Sequence, residues 1–181
     1  MNLTFKKVTQ QDIDLEKIHQ LYEESFPEDE KAPFQQLINN IQLSTVQFLS
    51  FYNENQLCGF TYLIVENHTV YIFYLVIALE LRNQGYGSEI VKIIQNLYNE
   101  HTLFLDIELV SKEAFNYLER KRRKSFYLKN GFVSSSYTYH FHNVDYEVLQ
   151  YGTSGNIHDL YQSFMNYSNG KVNVQFKKTE V

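Results

Sequence analysis

The chain has 181 residues, 44% of them apolar and 20% charged, and a formal net charge of −5. That is enough apolar material for one buried core, and the acidic balance argues against broad nucleic-acid binding, which needs a surplus of Lys and Arg. Cys58 is the single cysteine, no His/Cys spacing resembles a zinc site, no apolar run reaches the roughly 18 residues that span a bilayer, and the N-terminus lacks the apolar core of a signal peptide. The expectation is a cytoplasmic protein with no metal and no membrane partner.

In chain order, a short strand over Leu3 to Val8 precedes a helix that Asp14 can cap, with Leu15, Ile18, Leu21 and Tyr22 at three- and four-residue spacing. Phe26-Pro27 should end it. Pro33 suits the first turn of a second helix carrying Phe34, Leu37, Ile38 and Ile41 on one face. Between them lies the acidic run Glu28-Asp29-Glu30, a solvated turn or an attractor for a cationic amine. Three strand-like runs follow, Val46 to Tyr52, Leu57 to Val65 and Val70 to Ile77, separated by turns short enough for an antiparallel meander. The third is apolar almost throughout, as a central strand should be.

A glycine turn, Arg82-Asn83-Gln84-Gly85-Tyr86-Gly87, then leads into a helix from about Gly87 to Glu100. Leu103 to Leu109 alternates as a strand, placing Asp106 and Glu108 on one face. If this strand lies parallel to Val70–Ile77, the glycine turn falls at the carboxyl end of a central strand, where open α/β sheets bind ligands. A helical region stops at Asn130-Gly131, and strands over Phe132 to Phe141 and Tyr146 to Tyr151 follow. The remainder predicts a short helix over Ile157 to Tyr167 and a strand near Val172 to Phe176.

Chemically the glycine turn is the most informative segment. Unpaired amides and the positive dipole end at a helix start suit a phosphate group, Gly85 and Gly87 permit close approach, Arg82 adds a charge and Ser88 a hydroxyl. A Gly-x-Gly by itself is common in ordinary turns. Neither a P-loop Lys-Ser/Thr nor the third glycine of a dinucleotide fingerprint is present.

The order strand, Arg-x-x-Gly-x-Gly, helix, followed by Phe126-Tyr127-Leu128-Lys129-Asn130-Gly131-Phe132, resembles the GNAT N-acetyltransferase superfamily from about Leu3 to Tyr151. The resemblance implies an α/β fold with a mixed central sheet of about six to seven strands flanked by helices. It places the domain at residues 1–152, leaving residues 153–181 as an appendix on the same domain or at a homodimer interface. It further implies acetyl-CoA as cosubstrate, held by Leu75, Val76, Ile77, Arg82, Asn83, Gln84, Gly85, Tyr86, Gly87 and Ser88, and Tyr127 as proton donor to the departing thiolate. Family members often carry Asn where this chain has Arg120, so that cofactor contact is not carried over.

Transfer to an amine also needs an acceptor for the ammonium proton. Glu108, nearer the strand end, is the preferred base, with pairing to basic side chains as its alternative role; His140 and Glu80 are weaker candidates. The run Arg120 to Lys124 suits a solvated helix face first, with cofactor phosphates or an acidic substrate as alternatives, and is the one place where nucleic-acid contact would be plausible. The function expected is direct acetyl transfer from acetyl-CoA to an amine of unspecified identity. The alternative is a non-catalytic acyl-CoA sensor or interaction module on the same fold.

Overall fold

The computed structural model describes residues 2–28, 30–153, 155–170 and 174–179. The elements are β1 (Thr4–Lys7), α1 (Leu15–Ser25), α2 (Phe34–Asn40), β2 (Val46–Asn53), β3 (Gln56–Glu66), β4 (Thr69–Ile77), a 3₁₀ turn (Leu79–Leu81), α3 (Tyr86–Leu97), β5 (Thr102–Glu108), α4 (Tyr117–Lys129), β6 (Val133–Phe141), β7 (Val144–Tyr151), α5 (Ile157–Ser168) and β8 (Lys177–Lys178). The strands form one mixed sheet in the order β1-β2-β3-β4-β5-β7-β6-β8.

That is eight strands rather than six to seven. The addition is β8, a two-residue edge strand pairing Lys177 and Lys178 with Thr138 and Tyr137. Two lysines carry no apolar period, so the sequence gives no signal for it. The strand expected near Val172 to Phe176 falls partly on Val172 and Asn173, which lie outside the described residues, and Val174 to Phe176 are not in a strand.

The chain divides into two compact units, one of Met1–Val65 with Ile72–Asn96, the other of Glu66–Tyr71 with Leu97–Val181. In the first unit, β1 pairs antiparallel with β2 and β2 with β3. The apolar stripes of α1 and α2 bury Ile18, Leu21, Tyr22, Leu37 and Ile38, and an aromatic cluster joins helix and strands. Tyr22 meets Tyr74 edge-on at 5.1 Å, and Phe48 meets Phe60 and Tyr62 at 5.5 and 5.2 Å. Such pairs add about 0.5–1.5 kcal/mol each beyond simple burial. Asp14 starts α1 as expected but makes no side-chain cap; its carboxylate instead accepts from Lys17 at 2.8 Å and from the Tyr52 hydroxyl at 3.0 Å.

In the second unit, the start of β4 pairs parallel with β5 through Thr69–Tyr71 and Thr102–Phe104, the arrangement that strand–helix–strand order predicts. β5 pairs antiparallel with β7 from Leu103 to Glu108, and β7 with β6. The hairpin between β6 and β7 turns on His142 and Asn143, both at positive φ (46° and 64°), as a two-residue hairpin turn requires. Leu103, Phe104, Leu105, Ile107, Phe132, Val148, Leu149 and Leu160 are among the buried apolar residues of this unit.

Candidate active site

The two sequence motifs fall in different units, and each is built from local causes. In the first unit β4 ends at Ile77, the chain makes the 3₁₀ turn, and α3 begins at Tyr86. Gly59 on β3 is obligatory beside this strand end: a Cβ there would lie 2.1 Å from the carbonyl oxygen of Val76. The backbones of β3 and β4 can therefore approach closely enough for Ala78 to donate to the Cys58 carbonyl at 2.9 Å. Of the expected cofactor strand, Val76 is buried while Leu75 and Ile77 keep part of their surface.

The turn itself is left-handed at two positions, Asn83 (φ 62°) and Gly85 (φ 90°). Beyond its two chain neighbours no residue comes within 4 Å of where a Cβ on Gly85 would stand, so Gly85 is there for its backbone angle and the ground before it is open. The first intrahelical bond runs from the Glu89 amide to the Gly85 carbonyl at 3.1 Å. The amides of Tyr86, Gly87 and Ser88 precede that bond and are the donors a helix start leaves without intrahelical partners. Tyr86 anchors the turn through its buried ring, with its hydroxyl accepting from Asn53 at 3.2 Å.

Arg82 differs in detail from expectation. Its Nε donates to the Ile77 carbonyl at 3.1 Å and its Nη2 to Ser25 Oγ at 3.5 Å. The guanidinium thus ties the glycine turn back to the end of β4, placing a positive charge at the turn through a structural bond. Gln84 does the same on a smaller scale, donating to the Glu80 carbonyl at 2.6 Å. Asn83, Gln84, Gly85 and Ser88 are exposed.

The acidic turn between α1 and α2 is clamped. Tyr22 donates to the Ala32 carbonyl at 2.8 Å, and the Tyr74 hydroxyl accepts from the Ala32 amide at 3.0 Å while donating to the Glu30 carbonyl at 3.1 Å. Glu28 pairs with Lys31 at 2.6 Å, and Lys31 also pairs with Glu23. Asp29 lies outside the described residues. Cys58 is fully buried, and burial pushes its thiol up, as befits a core residue.

In the second unit α4 buries no residue completely and is held to the sheet by charge. Glu108, 6% exposed, pairs with Arg120 at 2.7 Å and Arg123 at 3.0 Å and accepts from Asn116. Glu147 pairs with Lys124 at 2.5 Å. The basic run therefore has a structural use: Arg120, Arg123 and Lys124 hold α4 down, while Lys121 and Arg122 are exposed. Arg120 is further engaged by Asn116 Oδ1 at 2.6 Å and the Leu109 carbonyl at 3.1 Å.

These bonds change what Glu108 can do. Its oxygens already face two guanidiniums, so receiving a proton would require breaking a largely buried ion pair. Glu108→Gln is expected to lower stability by about 2 kcal/mol, because it strands Arg120 in a mostly buried position; a denaturant titration of the two proteins checks this. His140, the weaker alternative, is exposed and bonded to Asp145 at 2.8 Å, and Glu80 is exposed.

Tyr127 lies in the last turn of α4, flanked edge-on by Phe126 at 5.0 Å and Phe132 at 5.6 Å. Its carbonyl accepts from the Asn130 and Phe132 amides at 3.0 and 3.1 Å, which fixes the helix end. Burial pushes its hydroxyl up to about 12, with the Asp106 charge adding to the rise and the Arg123 charge opposing it. The phenol is therefore fully protonated at neutral pH.

Sequence reasoning passed over one cluster. Asp106 is bonded to Tyr71 and also to Tyr139, and the loss of water around it raises its carboxyl above the usual range. Both partners are remote in sequence, 35 residues before Asp106 in the case of Tyr71. Only the alternation that put Asp106 on the Glu108 face pointed towards it.

The fold closely follows solved structures of low sequence identity. A putative GNAT-family acetyltransferase from Bacteroides thetaiotaomicron superposes with a TM-score of 0.75 at 18% identity, covering 94% of this chain and 99% of that one. A GNAT acetyltransferase from Elizabethkingia anophelis, solved with acetyl-CoA bound, gives 0.59 at 16% identity over 84% and 99% of the two chains. An aminoglycoside 6′-N-acetyltransferase complexed with coenzyme A gives 0.66 at 12% over 82% and 96%. The family model for the acetyltransferase (GNAT) domain matches residues 44–134, which include the whole glycine turn and Tyr127. The chain belongs to the GNAT acetyltransferase family. No curated protein matches it in sequence. Among the described residues no helix is long and apolar enough to cross a membrane, and no group of three or more His, Cys, Asp or Glu could hold a metal ion.

Proposed function

We propose that this protein transfers an acetyl group from acetyl-CoA directly to an amine. The observation that carries the reading is the start of α3: the amides of Tyr86, Gly87 and Ser88 precede the first intrahelical bond, beside a Gly85 whose front is open to 4 Å. That arrangement suits a pyrophosphate, since the donors and the dipole end act together and no side chain fills the space. Leu75, Val76 and Ile77 lead into this turn and would lie along the pantetheine arm. Arg82 holds the turn against the strand end, and Asn83, Gln84 and Ser88 are exposed around the anion.

When bound, acetyl-CoA supplies an activated acyl carbon and a thiolate leaving group. The chain's own contribution is position and a proton. Tyr127 keeps its hydroxyl protonated across the physiological range and is assigned as the donor to the leaving sulfur. Glu108 is assigned first to anchoring α4, and with it Tyr127, through Arg120 and Arg123; a base role would compete with those bonds. Acetyl-CoA and the acceptor amine are thus the partners inferred, and no metal enters the scheme.

The same ion pairs favour one second reading, an acyl-CoA binder without chemistry, because they occupy the carboxylate best placed in sequence to act as base. Free-thiol release from acetyl-CoA in the presence of an amine panel separates the two. Amine-dependent release is the expected result; stabilisation by acetyl-CoA without release from any amine would assign the protein to the binder class.

A further inference from the structure

The second unit contains a small cavity of about 10 Å³, lined on its polar side by Tyr71, Asp106 and Tyr139 and covered by Phe164 and Phe176 of the C-terminal segment. That is room for about one water. Asp106 accepts from the Tyr71 hydroxyl, and Tyr139 is its second phenolic donor. One carboxylate and two phenols supply the about two to four polar partners that a buried water takes. Phe164 meets Tyr71 edge-on at 5.8 Å and Phe176 meets Tyr139 edge-on at 5.5 Å, so each phenol is held by a ring of the cover.

The carboxylates in this part of the sheet are not equivalent. Glu108 receives Arg120 and Arg123, and Glu147 receives Lys124. Asp106, on the strand face it shares with Glu108, forms no ion pair with a Lys, Arg or His among the described residues. The groups facing it are Tyr71 from β4, Tyr139 from β6 with Tyr146 of β7 stacked on it at 5.1 Å, and Tyr127 of α4, whose hydroxyl feels the Asp106 charge. α5 and the residues after it add only the apolar Leu160, Phe164, Val174 and Phe176. A carboxylate without a cation keeps its basicity, because no Coulomb attraction favours its charged form, and the loss of water raises it further. A proton acceptor needs that property, which Glu108 and Glu147 have lost to their ion pairs. Asp106 keeps part of its surface exposed and lies in the same unit as Tyr127, the assigned proton donor.

We propose that Asp106 is the proton acceptor of the transfer, taking the ammonium proton of the amine through a single water seated between Asp106, Tyr71 and Tyr139. This rests on the acetyltransfer reading and supplies the base that the ion pairs of Glu108 leave unassigned. The amine nitrogen stays outside the cavity, whose size reserves it for the water. Asp106 takes one ammonium proton through that water and leaves the nitrogen its lone pair for the thioester carbon. Tyr127 gives its proton to the sulfur as the C–S bond breaks, and recovers one from the nitrogen as the amide forms. Asp106 then returns its proton to solvent, so one ammonium and one thioester yield one amide, one thiol and one proton.

The test measures the pH profile of kcat for wild type, Asp106→Asn and Tyr71→Phe, at saturating acetyl-CoA and with the panel amine that gives the fastest thiol release. Asp106 accepts a proton only as a carboxylate, so the wild-type rate should fall as pH drops through its raised value, above the ordinary carboxylate range of about 4. Tyr71→Phe removes a donor that favours the charged form, so its acid limb should move to higher pH. Asp106→Asn should lose about 10²- to 10⁴-fold in kcat, with the acid limb gone from the residual rate, a much smaller change in KM and the acetyl-CoA thermal shift unchanged. Full kcat in Asp106→Asn, or an acid limb that stays in place in Tyr71→Phe, overturns the assignment. If Asp106→Asn does not fold, the direction of the Tyr71→Phe limb decides. Absence of thiol release from wild type with every amine counts against the acetyltransfer reading itself and removes this step with it.

Discussion

Saturating acetyl-CoA is expected to raise the thermal midpoint of the wild-type protein by about 5–10 °C, and that of Gly85→Asp not at all. Ligand at about 100 times its dissociation constant adds roughly 2.7 kcal/mol to stability, and about 1 kcal/mol moves the midpoint of a domain this size by roughly 2–4 °C. Gly85 sits at φ 90° with open space before it, so an aspartate there has room but suffers a backbone strain of about 1–2 kcal/mol. Its carboxylate would also stand before the amides of Tyr86, Gly87 and Ser88, taking the anion's place and repelling the phosphates. Gly85→Ala carries the strain without the charge. It should lose a similar amount of apo stability yet keep most of the acetyl-CoA shift, so the pair of variants separates a blocked anion site from a damaged fold. Retention of the full shift in a folded Gly85→Asp would remove the cofactor assignment from this turn.

Tyr127→Phe is expected to lower kcat by about 10²- to 10⁴-fold, the usual worth of a placed general acid, with the acetyl-CoA shift unchanged. The ring and its edge-on contacts with Phe126 and Phe132 survive the substitution, so packing at the end of α4 should be kept. The pH profile gives a second readout. Because burial raises the Tyr127 hydroxyl to about 12, the wild-type rate should show no alkaline decline from loss of this proton at any pH up to about 10, two units below that value. A full kcat in Tyr127→Phe would end its role as proton donor and leave Tyr127 as the packing residue that its aromatic neighbours already suggest.

Much of the fold was legible because its signals are local. A nearly continuous apolar run located β4, period-two alternation located β5, three- and four-residue spacing located α1 and α3, and Asn130-Gly131 marked the end of α4; each rests on neighbours within a few residues. The eighth strand was not legible, since Lys177 and Lys178 become a strand through pairing with Tyr137 and Thr138 some forty residues earlier. The same limit applied to Glu108: period-two spacing put its carboxylate on a strand face, but only the folded chain brings Arg120 and Arg123 onto it.

The sequence by itself determined the family, the order of the elements and the glycine turn, because a strand, a left-handed turn and a helix start are specified by residues adjacent in the chain. Tertiary structure alone decided which charges are paired and which are not. Arg82 turned out to brace the strand end, the basic run to anchor α4, and Asp106 to be held by two phenols, with no ion pair to a cation among the described residues. The physical reason is that desolvation and Coulomb energy depend on distance in space, and the chain sets those distances only when it closes on itself.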